Sequence, residues 1–183
     1  SLSLKIFSGL QSDEELSIFL HSEDSQFVRF NQSKVRQNTS VYQHLAIFQF
    51  QKNKRTCQFT YNLILLENDD LNKIQKEILS WREQFQQIDE NPQFFPMVNN
   101  GLSSSFKKVD RPSDEEITQI INSEFKGSDM AGLYSSGPIR QASLNSKGQF
   151  HYFETDYFFL DYSLYNGPRA AKGFFSPESW SPE

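Results

Sequence analysis

The stretch Thr56-Cys-Gln-Phe-Thr-Tyr-Asn-Leu-Ile-Leu-Leu66 decides the reading of the chain. Cys57, Phe59, Tyr61, Leu63 and Leu65 share one face, and Thr56, Gln58, Thr60 and Asn62 share the other. A period of two places successive side chains on opposite sides of a pleated strand, so this segment is a half-buried antiparallel strand. Working backwards, Tyr42 to Gln51 supplies a neighbour across a polar tip at Asn53. Phe27-Val28-Arg29-Phe30 and the alternating Leu16, Ile18 and Leu20 read as two more strands. Glu23-Asp24-Ser25 and Asn31-Gln32-Ser33 offer turn chemistry between them. Residues 15–65 are expected to form a β-meander.

Beyond Leu66 the period changes. Asn68 is placed to cap a helix, with Asp69 and Asp70 suited to the positive end of its dipole. Leu71, Ile74, Ile78, Trp81, Phe85 and Ile88 recur at spacings of three and four, which makes one apolar stripe. Asn91-Pro92 stops it. Residues 91–111 then carry Pro92, Pro96, Asn99-Asn100-Gly101 and Ser103-Ser104-Ser105, an irregular connection far longer than the usual roughly 4–6 residues. Ser113-Asp-Glu-Glu116 is a capping box that opens a short helix with Ile117, Ile120, Ile121 and Phe125 inward. Four strands follow: Met130 to Ser135, Ile139 to Leu144, Phe150 to Thr155, and Tyr157 to Tyr165. Gly137-Pro138, Ser146-Lys-Gly148 and Asn166-Gly167-Pro168 mark turns, and Ala170 to Phe175 adds an edge strand.

The expected fold class is α+β: two antiparallel β-meanders with two helices packed against them. The expected order is β-meander, helix, loop, helix, β-meander. The segments are 1–90, a connecting loop 91–111, and 112–183, together one compact unit and a fragment of a longer protein. The abundance of Phe, with 18 residues, suits a real core, because each aromatic ring buries about 150–250 Å².

Several function classes are disfavoured. The net charge is −5, and Lys and Arg are scattered, whereas a nucleic-acid surface needs a concentrated basic patch. No run approaches the ~20 apolar residues of a membrane span, and no signal peptide is visible. The single cysteine, Cys57, excludes an internal disulfide and suits a reducing, cytoplasmic compartment. The three histidines, His21, His44 and His151, lie far apart and lack zinc-motif spacing. Cys57 with His44 would make a thiol nucleophile and base on neighbouring strands, but Cys57 shares its face with Phe59 and Tyr61 and reads as packing. Glu154 and Asp156 share a strand face as a potential carboxylate pair, with a solvated edge the simpler reading. Tyr152-Phe153 and Tyr157-Phe158-Phe159 divide by alternation between core and an aromatic binding surface.

Two stretches go beyond general pattern. Phe27-Val-Arg-Phe-Asn-Gln-Ser-Lys-Val-Arg-Gln37 resembles the N-terminal hairpin motif of the TldD/PmbA family, often labelled modulators of DNA gyrase. Ala131-Gly-Leu-Tyr-Ser-Ser-Gly137 and Ala142-Ser-Leu-Asn-Ser-Lys-Gly148 resemble a later segment of that family, in the same order and at a similar separation. The resemblance implies a zinc metallopeptidase acting on unfolded peptides, working as a homo- or heterodimer of related chains. Its His-Glu-x-x-x-His helix has no counterpart here, so zinc and catalysis are expected in the remainder of the polypeptide. Arg29, Asn31, Ser33, Arg36, Gln37, Asn145 and Ser146 match the motifs and carry no catalytic role. Three readings stand: a non-catalytic part of such a peptidase, a stand-alone peptide- or protein-binding module, or an independent enzyme using Cys57 or a carboxylate pair.

Overall fold

A computed structural model describes residues 1–176 of the chain. Its elements in chain order are α1 (Leu2–Ser8), β1 (Glu14–Asn31), β2 (Lys34–Lys52), β3 (Arg55–Asn62) and α2 (Glu67–Gln84) with a short 3-10 turn at Phe85–Gln87. There follow β4 (Leu102–Lys107), α3 (Asp114–Glu124), β5 (Asp129–Asn145), β6 (Phe150–Asn166) and β7 (Arg169–Phe175). The class is α+β, and the strands form one seven-stranded sheet in the order β3-β2-β1-β5-β6-β4, with β7 also paired to β6. The two meanders of the sequence reading are thus joined through β1 and β5. Two elements were not foreseen: α1, too short to show a helical stripe, and β4, inside the expected loop 91–111.

The strands are longer and fewer than the turn signals suggest. Glu23-Asp24-Ser25 does not turn; it lies within the 18 residues of β1. Its polar side chains find partners across the sheet instead: Asp24 holds Arg140 at 2.9 Å, and the Ser25 hydroxyl meets the Tyr157 hydroxyl at 2.9 Å. Gly137-Pro138 also stays within β5. Gly137 has φ +154°, and a methyl group there would overlap the Asp24 carbonyl oxygen. The glycine is therefore a point of close backbone approach within the sheet.

The tight turns lie where strands β1, β2 and β3 meet. Gln32-Ser33 and Asn53-Lys54 are two-residue connections, and all four residues have positive φ. Such primed turns match the right-handed twist of the strands they join. In the β2–β3 register Phe48 opposes Phe59 and Phe50 opposes Cys57. Asn166-Gly167-Pro168 turns as expected into β7.

The chain divides into two compact units, neither of them a continuous stretch of sequence. The first comprises Ser1–His21, Gln43–Ser105 and Gln141–Phe153. Its core joins Leu16 and Ile18 of β1, Phe48 and Phe50 of β2, Ile74 and Ile78 of α2, Phe85, and Ile6 of α1. The stripe predicted for α2 is thus the packed face, with Leu71, Trp81 and Ile88 at its margin. Phe48 stacks on Phe59 at 4.5 Å, and Phe85 meets Phe50 edge-on at 5.3 Å. The helix starts at Glu67, one residue before the expected cap Asn68, and Leu66 precedes it without a side-chain cap. Buried Asp70 instead accepts the Ile64 N–H at 3.1 Å, which closes the connection into the helix.

The second unit comprises Ser22–Tyr42, Phe106–Arg140 and residues 154–176. Val28, Phe30, Met130, Tyr134 and Phe158 pack there under Ile117 and Ile121 of α3. The capping box forms as read: the Ser113 hydroxyl accepts the Glu116 N–H, and the Glu116 carboxylate accepts the Ser113 N–H. Buried Tyr134 donates its hydroxyl to the Pro112 carbonyl at 2.9 Å, tying the start of α3 to the sheet.

Candidate functional site

The seven motif residues separate into two groups with different work. Ser33, Asn145 and Ser146 hold backbone. Ser33 is buried, donates its hydroxyl to the Ser128 carbonyl at 2.9 Å and its N–H to the Met130 carbonyl at 2.9 Å. These bonds fix a turn whose positive φ values cost energy in residues other than glycine. Asn145 accepts the Lys147 and Gln149 N–H groups on its side-chain oxygen and donates to the Val98 carbonyl at 2.9 Å. Ser146 exchanges two bonds with the backbone of Leu16. Segment 91–101 carries no strand or helix, yet it is tied down: Gln51 donates to Phe95, Met97 donates to Glu15, and Asn145 holds Val98.

Arg29, Asn31, Arg36 and Gln37 do something else. They are exposed and line an open concavity of about 1030 Å³ within the second unit. Arg29 and Asn31 alternate with the core residues Val28 and Phe30, so they project from the opposite face of β1. Ala131, Gly132 and Leu133 of β5 and Ser163 of β6 supply small or apolar surface beside them. Tyr165, Lys172, Asp161 and Asp129 complete the wall. Lys172 neutralises Asp161 at 3.2 Å, and Arg36 donates to the Gln32 amide oxygen at 3.2 Å. The sequence reading missed the β5 to β7 contributors, because no local pattern announces which residues of distant strands share a face.

The other candidates fare differently. Cys57 and His44 are not a dyad: Cys57 opposes Phe50, whereas His44 accepts the Leu63 N–H. Six residues along a strand separate those registers, roughly 20 Å at the rise of an extended chain. Burial also pushes the Cys57 thiol up to about 12, which leaves it protonated and a poor nucleophile or ligand. Glu154 and Asp156 face separate arginines: Glu154 pairs with Arg140 at 3.4 Å, and Asp156 lies 3.9 Å from Arg111. Phe158 is core, and the Tyr157 hydroxyl bonds Ser25 and Ser135. Phe153 remains exposed. The described aromatic residues of β6 therefore divide between jobs.

The described residues do not fit zinc. His21 and His151 are engaged with Gln141 and Ser103, and burial among apolar side chains pushes the Cys57 thiol up and away from the thiolate a metal needs. Among the described residues, no three of His, Cys, Asp and Glu come together as a ligand set. No helix among them is long and apolar enough to cross a membrane.

No family model and no curated protein matches the sequence. Solved structures do match the fold. TldE from Thermococcus kodakarensis superposes with a TM-score of 0.62 at 13% identity, over 90% of this chain and 40% of its own. A candidate modulator of a DNA gyrase from Thermotoga maritima gives 0.65 at 12% identity, over 97% and 42%. Another, from Bacteroides thetaiotaomicron, gives 0.68 at 14% identity, over 97% and 43%. This chain spans about two-fifths of the length of each. The chain thus has the fold of TldE and these candidate gyrase modulators, the TldD/PmbA fold that its two motifs resemble.

Proposed function

We propose that this chain is a non-catalytic part of a TldD/PmbA-like zinc metallopeptidase, supporting the metal domain and helping to wall the path of an unfolded peptide substrate. One observation carries the reading: the fold is matched along 90–97% of this chain but along only 40–43% of the related chains. On this reading the metal ligands belong to the remainder of the polypeptide, which is the first partner. A related chain in a homo- or heterodimer is the second, and the cytoplasm is the compartment.

The role for this chain is physical rather than chemical. All six residues of β4 are exposed, and β4 ends the strand order of the sheet. A strand at the end of a sheet can hold an extended peptide through main-chain hydrogen bonds alone. Photo-crosslinking of an unstructured peptide to the intact protein tests the assignment. Crosslinks within this chain, some of them at residues 102–107, are expected. Crosslinks confined to the rest of the protein would remove the wall role.

The alternative, a stand-alone peptide- or protein-binding module, is favoured by the concavity beside Arg29 and Arg36, which lies wholly within one unit. It predicts tight binding by the isolated chain with no peptidase attached.

A further inference from the structure

We propose that the concavity lined by Arg29, Asn31, Arg36, Gln37 and Tyr165 is a binding site for an acidic segment of extended peptide, its carboxylate held by the two arginines.

The charge distribution carries this first. Arg82, Arg111 and Arg140 each face a carboxylate within 4 Å. Arg29 and Arg36 face none among the described residues, although both open onto the same concavity of a chain whose net charge is −5. Lys172 already cancels Asp161, so the wall presents two guanidinium groups against the single carboxylate of Asp129. A guanidinium binds a carboxylate through paired, charge-assisted hydrogen bonds, and two on one rim make an acceptor for a monoanionic group. Asp129 in the same wall repels a dianionic phosphate more than a carboxylate.

The remaining lining suits a peptide. Asn31 offers an amide donor and an amide acceptor, the same pair that a peptide unit needs, and Gln37, which gives an N–H to Thr39 at 2.9 Å, adds its amide oxygen. Ala131 and Leu133, on the strand face opposite the core residues Met130 and Tyr134, give the site an apolar floor. The volume of about 1030 Å³ lies at the upper end of ligand sites, roughly 300–1,000 Å³, and is ample for a short extended segment.

The rim is also built in advance. Arg36 donates to Gln32 at 3.2 Å, and Gln32 sits in the positive-φ turn whose backbone buried Ser33 anchors to Ser128 and Met130. A rim fixed before binding loses less entropy on binding. The inference deepens the reading of a peptide path by naming the chemistry of the peptide. Its test reads binding rather than cleavage, so the two can fail separately.

The test is fluorescence anisotropy on the intact protein with a labelled peptide alternating Glu and Ala, its Gln/Ala counterpart, and inorganic phosphate as competitor. The Glu peptide is expected to bind at least about tenfold tighter than the Gln peptide, and more weakly as salt rises. Arg29→Gln with Arg36→Gln is expected to cost about tenfold or more in affinity. Both side chains are exposed, so the thermal midpoint stays unchanged and loss of folding is excluded as the cause. Equal binding of the Glu and Gln peptides, or an unaffected double variant, overturns the proposal. Phosphate competing as well as the free Glu peptide would also overturn it, because the site would then select anions and not peptide.

Discussion

At the scale of single residues, the most consequential charge is one the sequence did not single out. Glu14 has a fully buried side chain, bound by Arg82 at 2.8 and 2.6 Å and approached by Lys52 at 3.5 Å. Burial alone would raise its carboxyl. The Arg82 hydrogen bonds, the Gln11 N–H and the charges of Arg82 and Lys52 outweigh burial and hold it below the ordinary 4.5. A folded-state value below the unfolded one means the group stabilises the fold above about pH 4.5, and that contribution is lost as pH falls through the lower folded value. Arg82→Met should cost on the order of 2–3 kcal/mol at pH 7, below the fully buried range because Lys52 remains and Arg82 is partly exposed. The cost should shrink in acid, as Glu14 takes up its proton. Urea midpoints from pH 7 down through the acid range check both statements; a cost that stays the same as pH falls would contradict the pairing. Glu14 was hidden in the run Asp13-Glu14-Glu15 because sequence spacing does not show which of three neighbouring carboxylates turns inward. The motif residues were legible as a set, but their division into backbone anchors and concavity lining was not. That division depends on whether Ser33 or Arg36 points at another strand.

At the scale of elements, hydrophobic period was a good guide to what forms and a poor guide to where it stops. The stripe of α2, the capping box of α3 and the alternation of β3 follow from side-chain spacing and are in the structure, though β3 ends at Asn62, short of the expected Leu66. The extra turns at Glu23-Asp24-Ser25 and Gly137-Pro138 were misread for one shared reason. Local turn chemistry was overridden by partners on neighbouring strands, and the two misread sites face each other through Gly137 and Asp24. That contact gives a sharp test. Gly137→Ala combines an unfavourable φ with a clash against backbone that cannot move aside, and should destabilise by roughly 2–4 kcal/mol. Gly167→Ala has φ +58° and open space around it, so only the conformational cost of about 1 kcal/mol is expected. Chemical denaturation of the two variants measures the difference, and equal losses would show that the close approach is not there.

At the scale of the whole molecule, the fold class was legible because strands and helices alternate in blocks along the sequence. The joining of two meanders into one seven-stranded sheet was not, since pairing of β1 with β5 links residues more than a hundred positions apart. The two motifs reached further than periodicity did, pointing to the fold that TldE and the candidate gyrase modulators share with this chain. The central claim is that this chain contributes surface and support while metal chemistry resides elsewhere in the protein. The most direct measurement is the zinc content of the intact protein, with cleavage of an unstructured peptide, before and after replacing His21, His44 and His151 by Gln and Cys57 by Ala. The account predicts about one zinc per chain and the same cleavage rate in both proteins. Zinc or cleavage lost with these four side chains in a protein that still folds, or no zinc in the intact protein at all, would contradict it.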